Sequence, residues 1–156
     1  MGLMTEVLFW NVFWIIVRKS VAPLSVLVQE MKEIGIADAY ADEHCYVYGH
    51  IPATPGYENA AKIGFIAHLD TATDFADEPV NPQIIENYDG GDVVLGTSGR
   101  ILIADSFPHL PSLKGRTLIT TDGMTLLGAD DKAGIAEILT AAEKLLTTGE
   151  RHATVK

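Results

Sequence analysis

Apolar residues recur every three or four positions in two segments of the chain, and this spacing predicts two amphipathic helices. The first segment covers residues 23–34 and is followed by Gly35, a typical helix stop. The second covers residues 131–146, has a wider apolar face and is closed by Gly149. This second helix is the clearest element that the sequence predicts.

Shorter segments rich in β-forming residues predict strands. Residues 45–51 are one such segment. Residues 62–68 are a nearly continuous apolar run, which suits a strand that is buried on both faces. Residues 153–156 have the composition of the start of a further strand. Because strands, a long helix and another strand follow each other, the pattern predicts an α/β fold with a mixed β-sheet covered by helices.

Two hairpins are predicted between these elements. They follow a polar, acidic stretch over residues 71–92, which is expected to be mostly loop with short strand pieces. Residues 93–95 are expected to pair with residues 100–103 around a Gly-Thr-Ser-Gly turn. Residues 117–121 and 124–127 flank the dipeptide Asp-Gly, a strong signal for a two-residue hairpin turn.

An apolar run lies near the N-terminus, at residues 7–17, and Asn11 interrupts it. It is too short to span a bilayer as a helix. Its flanks are wrong for a signal peptide, because Glu6 precedes it and Arg18 follows it. We therefore predict a buried or partner-facing helix without stable membrane insertion, and a membrane-associating segment is the alternative.

Composition and charge narrow the possible functions. The chain has 156 residues, 47% of them hydrophobic and 21% charged, which fits a packed single domain. Its net charge of −10 disfavours nucleic acid and anionic membranes as partners, whereas it is compatible with divalent cations. Cys45 is the single cysteine, so no internal disulfide is possible and a reducing compartment, the cytoplasm, is expected. We interpret Cys45 as a small apolar strand residue rather than a nucleophile.

Candidate chemistry is concentrated at His68, Asp70 and Asp130. Alternate residues of a strand point the same way, so His68 and Asp70 share a face if the strand continues that far. Asp130 precedes the long helix, where its carboxylate caps the helix or binds a metal. Either feature alone is common by chance. Together, at the ends of apolar strands, they predict part of a two-metal hydrolase site.

Several segments of this sequence resemble peptidase T, a family of tripeptide aminopeptidases in the dinuclear-zinc aminopeptidase and carboxypeptidase superfamily. The resemblance starts at about residue 26 and runs to residue 156. The order and length of the matching segments make it specific to that family rather than to the superfamily. The segments that carry it are residues 63–71, 80–88, 90–92, 117–123 and 125–137.

The resemblance implies a function and a set of residue roles. His68 would bind one zinc, Asp130 would bridge two Zn²⁺ ions, and the catalytic residue Asp70 would hold an imidazole in place. A cis peptide bond is expected between Asp130 and Asp131. The activity would be removal of the N-terminal residue from tripeptides by zinc-activated water, with a glutamate as general base. Small peptides would be the substrates, and complete relatives would be homodimers.

The resemblance also predicts how much of the enzyme this chain contains. Residues 1–25 do not resemble the family, whereas residues 26–156 are expected to form the N-terminal portion of the zinc-peptidase catalytic domain. The general base, the remaining metal ligands and a second domain are expected later than Lys156 in relatives. The chain alone is therefore expected to be inactive. The alternative is an inactive orphan fragment or a metal- or peptide-binding module, whose uncovered sheet edges would favour self-association.

Overall fold

The computed structural model describes residues 24–72 and 80–156, which fall into two compact units. Among these residues, the first unit contains 24–70 and 129–156, and the second contains 71–72 and 80–128. The predicted N-terminal helix lies outside the described residues. None of the helices in the described part of the chain is both long and apolar enough to cross a membrane.

Two helices of the first unit confirm the predictions from apolar spacing. Helix α1 covers Leu24–Glu33 and helix α2 covers Ala129–Thr148. Helix α1 ends in a Schellman motif, in which the N–H of Gly35 donates to Lys32 O at 3.1 Å and that of Ile36 donates to Met31 O at 2.9 Å. Gly35 has φ = 109°, a left-handed conformation that favours glycine, so it stops the helix as the sequence indicates.

The core of the first unit joins the two helices to a short extended segment. Its buried members are Ile36, Ala39, Ile51 and Ala142, the last of these from α2. Partly buried side chains from α1 and from Val155 pack against them. The core is therefore assembled from residues more than 100 positions apart in sequence, Ile36 and Ala142 among them.

Residues 153–156 lie between two extended segments, as predicted for the start of a strand. Val155 exchanges hydrogen bonds of 3.0 and 2.9 Å with Ile51 in an antiparallel bridge. On its other side it forms a parallel bridge with Ile63, where Lys156 N donates to Ile63 O at 2.9 Å. The pairing is thus mixed, with both strand directions present around one residue.

The predicted strand at residues 62–68 is wrong in extent and in burial. Only Ile63 forms a bridge, and Phe65 and Ile66 are 52% and 93% exposed. Within the described residues, the segment 153–156 pairs with one edge of this run, and neither face is fully covered. An apolar composition predicts burial only where other elements supply the covering surface.

Cys45 lies in a turn rather than in a strand, which corrects its predicted role as an apolar strand residue. The turn joins β1 (Tyr40–Ala41) to β2 (Val47–Tyr48). Asp42 Oδ1 accepts hydrogen bonds of 2.9 Å from the backbone N–H groups of His44 and Tyr46. These bonds close the turn, so that Cys45 is exposed and adopts φ = 66°.

The second unit contains two antiparallel strand pairs. Strand β4 (Val93–Leu95) pairs with β5 (Arg100–Leu102), which confirms the first predicted hairpin. The second predicted hairpin is wrong, because β6 (Leu118–Thr121) pairs with β3 (Pro82–Ile85). Short 3₁₀ helices at Ala104–Ser106 and Pro111–Leu113 lie between β5 and β6.

Side chains at the end of β6 and directly after it explain why the Asp-Gly signal fails. The hydroxyl of Thr121 accepts the N–H of Gly123 at 2.7 Å, and Asp122 Oδ1 accepts the N–H of Met124 at 2.9 Å. The turn is therefore held by local side-chain bonds, which do not require a returning strand. The partner of β6 comes instead from a segment more than 30 residues earlier.

Candidate metal centre

Two neighbouring aspartates at the start of α2 have different roles. Asp130 (φ −90°, ψ 110°) and Asp131 (φ −118°, ψ 34°) are not helical, so the regular helix begins after them. Asp131 Oδ1 accepts the N–H of Gly134 at 3.1 Å, the geometry of a helix cap. The sequence left open whether Asp130 caps the helix or binds a metal; this cap bond is made by Asp131. The peptide bond between the two residues is cis, as the family resemblance implied.

His68 meets Asp130 across 62 residues of sequence. Its Nε2 lies 3.1 Å from Asp130 Oδ1, and its Nδ1 lies 2.9 Å from the main-chain carbonyl oxygen of Asp70. The Asp70 carboxylate is farther from the ring, with Oδ1 3.5 Å from Nδ1. The structure thus brings together the three predicted site residues, and it places the main chain of Asp70 closest to the imidazole.

The carbonyl of Asp70 determines which nitrogen of His68 is free to bind a cation. A carbonyl oxygen only accepts, so Nδ1 carries a proton and donates to it. In the neutral ring Nε2 is then a lone-pair acceptor, and it faces the lone pairs of the Asp130 carboxylate. Two acceptors at this distance need a cation between or beside them, either a proton or a metal ion.

The surroundings of His68 raise the pKa of its imidazole above the ordinary value. The hydrogen bond to the Asp70 carbonyl is the main cause that raises the pKa of His68, and the Asp130 carboxylate raises it further. Partial desolvation of the ring opposes both effects. The His68 side chain is 51% exposed and that of Asp130 is 95% exposed, so the pair faces solvent.

The donor chemistry of the pair fits part of a zinc site. An imidazole nitrogen and a carboxylate oxygen are ordinary zinc ligands, and the second ring nitrogen is held by a carbonyl, as is typical of metal-binding histidines. Throughout residues 24–72 and 80–156, however, no group of three or more His, Cys, Asp or Glu side chains forms a metal-binding cluster. His68 and Asp130 are therefore a two-donor pair.

Lys132 is a buried charged residue to which the sequence assigns no role. It lies in the first turn of α2 and is 5% exposed. Burial lowers its pKa, and the nearby negative charge of Asp70 works in the opposite direction. A lysine at the start of an apolar helical face is the signal in the sequence, although spacing alone does not distinguish it from a surface lysine.

The fold of this chain is similar to that of solved aminopeptidases. The crystal structure of the aminopeptidase PepT from Bacillus cereus matches with a TM-score of 0.64 at 21% identity, over 96% of this chain and 34% of that one. A tripeptidase from Staphylococcus aureus matches with a TM-score of 0.63 at 19% identity, over the same shares of the two chains. This likeness confirms the α/β fold class.

Sequence comparison finds relatives that are named peptidase T. Peptidase T of Bacillus subtilis is 52% identical over 134 residues, and peptidase T of Geobacillus thermodenitrificans is 53% identical over 133 residues. The matches cover 85% and 84% of this chain and 32% of each relative. The resemblance to peptidase T is thus confirmed, and the chain spans about a third of the length of these curated relatives. No family model matches the chain.

Proposed function

We propose that His68 and Asp130 belong to the metal centre of a tripeptide aminopeptidase of the peptidase T type. The observation that carries this proposal is the approach of Nε2 to Oδ1 at 3.1 Å, with Nδ1 committed to a carbonyl. A cation satisfies both acceptors at once. The names of the similar proteins, peptidase T and tripeptidase, support a peptide as substrate.

The residues of this chain would have different roles in such a centre. His68 and Asp130 would hold zinc, and Asp70 would fix the imidazole through its carbonyl. Zinc held there would act as a Lewis acid toward water and the scissile carbonyl. We assign residues 26–156 to the N-terminal portion of the catalytic domain, and the family's full centre, with two Zn²⁺ ions, would need ligands beyond this pair.

Zinc binding tests the proposal directly. We expect Asp130→Ala and His68→Ala each to lower the zinc affinity of the chain by at least about tenfold, because each removes one of two donors. Isothermal titration with zinc at pH 8 measures the change. Asp105→Ala is the matched control, since it removes an exposed carboxylate in the second unit and changes the net charge equally.

Two outcomes of the zinc titration would contradict this proposal. If zinc binds equally well to the unaltered chain and to both site variants, the metal is held elsewhere and the assignment is wrong. If Asp105→Ala lowers the affinity as much as Asp130→Ala does, the effect is one of net charge rather than of coordination.

The isolated 156-residue chain is expected not to hydrolyse tripeptides above the buffer rate, even with zinc added. Catalytic zinc sites normally use three protein ligands, and the described residues bring together two donors here. Release of the N-terminal residue from a tripeptide, followed by chromatography, checks this expectation. Hydrolysis that Asp130→Ala abolishes would contradict it and would show that two donors suffice.

A peptide-binding module without catalysis is the second candidate function. The exposed apolar side chains of Phe65 and Ile66, just before His68 in sequence, favour it. Saturable binding of a tripeptide that needs neither zinc nor Asp130 would support this module over the hydrolase. The same apolar run favours self-association, which light scattering during size-exclusion chromatography measures.

A further inference from the structure

We propose that Asp131 and Gly134 are positioning residues that aim the Asp130 carboxylate at His68. This inference rests on the proposed function, because it concerns the same metal centre. Asp131 Oδ1 accepts the N–H of Gly134 at 3.1 Å, which ties Asp131 to the first turn of α2. Asp130 is its direct neighbour, so the backbone that carries the candidate ligand is fixed from the helix side.

Gly134 provides the space that this bond needs. A methyl group at Gly134 would overlap Asp131 Oδ1 and would lie 2.8 Å from Cγ and 2.9 Å from Oδ2. Since all three carboxylate atoms are too close, alanine at this position forces the cap to open. Glycine is a poor helix former, and Gly134 lies within α2, so its presence is explained by this contact rather than by helix propensity.

The two adjacent carboxylates have different surroundings, which assigns them different tasks. The Asp131 carboxylate turns back onto its own helix, whereas the Asp130 side chain is 95% exposed and meets His68. The helix itself is anchored by Ile135 and Ala136, which are buried. Because the cap is bonded to an anchored helix, the backbone at Asp130 is held in place. Residues that contact metal ligands commonly position those ligands in this way.

The test compares variants that open the cap with one that preserves it. Gly134→Ala and Asp131→Ala open it, while Asp131→Asn keeps an oxygen that accepts the same N–H. We expect the first two to lower zinc affinity by about 10- to 100-fold and Asp131→Asn to stay close to the unaltered chain. Without metal, the ¹⁵N resonance of His68 Nε2 at fixed pH is expected to move toward its value in Asp130→Ala in the first two variants.

Gly149→Ala is the control for a general loss of stability. Gly149 follows α2, has φ = 68° and no atom within contact distance of an added methyl group, so alanine there strains the backbone away from the site. We expect it to lower the melting temperature without moving the His68 resonance. If Gly134→Ala behaves in the same way, its role is structural and the inference is overturned.

Two further outcomes are decisive. If Asp131→Asn loses zinc as Asp131→Ala does, the charge of Asp131 matters rather than its cap, and the inference is wrong. If zinc binds equally well to Asp130→Ala, the proposed metal centre fails instead. The metal-free His68 resonance still reports whether Gly134→Ala has displaced the Asp130 carboxylate, so the two failures are distinguishable.

Discussion

Replacing Ile51 with alanine is expected to lower the free energy of unfolding by about 2–4 kcal/mol. Ile51 is 4% exposed and packs among Ile36, Ala39 and Ala142, so truncation leaves a cavity between an extended segment and α2. Its backbone bonds to Val155 do not depend on the side chain. The loss is a large share of the stability of a small domain.

Urea denaturation followed by circular dichroism measures this loss, and Ile66→Ala is the matched control. The same atoms are removed, but Ile66 is 93% exposed, so the change is expected to stay within about 0.5 kcal/mol. Ile51→Val removes one methylene group and is expected to cost about 0.5–1.5 kcal/mol. Equal losses for Ile51→Ala and Ile66→Ala would mean that Ile66 is covered in solution.

The elements that the sequence predicted well are those defined by neighbouring residues. Both helices follow from apolar spacing, and the Gly35 stop follows from the need for a left-handed residue after α1. The hairpin of residues 93–102 is also local, because its strands are separated by four residues. In each case the interacting groups lie close together in the chain.

Predictions failed where the partner is distant in sequence. The partner of β6 is β3, which the Asp-Gly signal does not reveal. Ile66 is as apolar as Ile51 but is exposed, because burial depends on which segments cover a residue. Within the candidate site, residue types and strand ends suggested Asp130. Its contact with His68 and the cap made by Asp131 could be seen only in the folded structure.

Zinc affinity is expected to fall by at least about 30-fold between pH 8 and pH 5, through the proton on His68. Zinc needs the lone pair of Nε2, which is available only in the neutral ring. The Asp70 carbonyl, and to a smaller extent Asp130, raises the pKa of His68 above its ordinary value of about 6.5. Below that pKa each pH unit costs about a factor of ten in affinity.

Without metal, the contact between His68 and Asp130 is expected to stabilise the fold more at low pH. Zinc affinity is expected to fall at low pH, so the two measurements distinguish the metal-free centre from the zinc-bound one. Because the folded pKa of His68 is raised, the charged pair of His68 and Asp130 stabilises the fold at low pH and is lost as the pH rises through that pKa. Zinc titrations and melting curves from pH 5 to 8 measure both slopes. In His68→Gln both are expected to flatten. If zinc affinity keeps its full pH dependence in His68→Gln, the competing proton is on another ligand. Of the proposed pair, Asp130 alone would then remain in the centre.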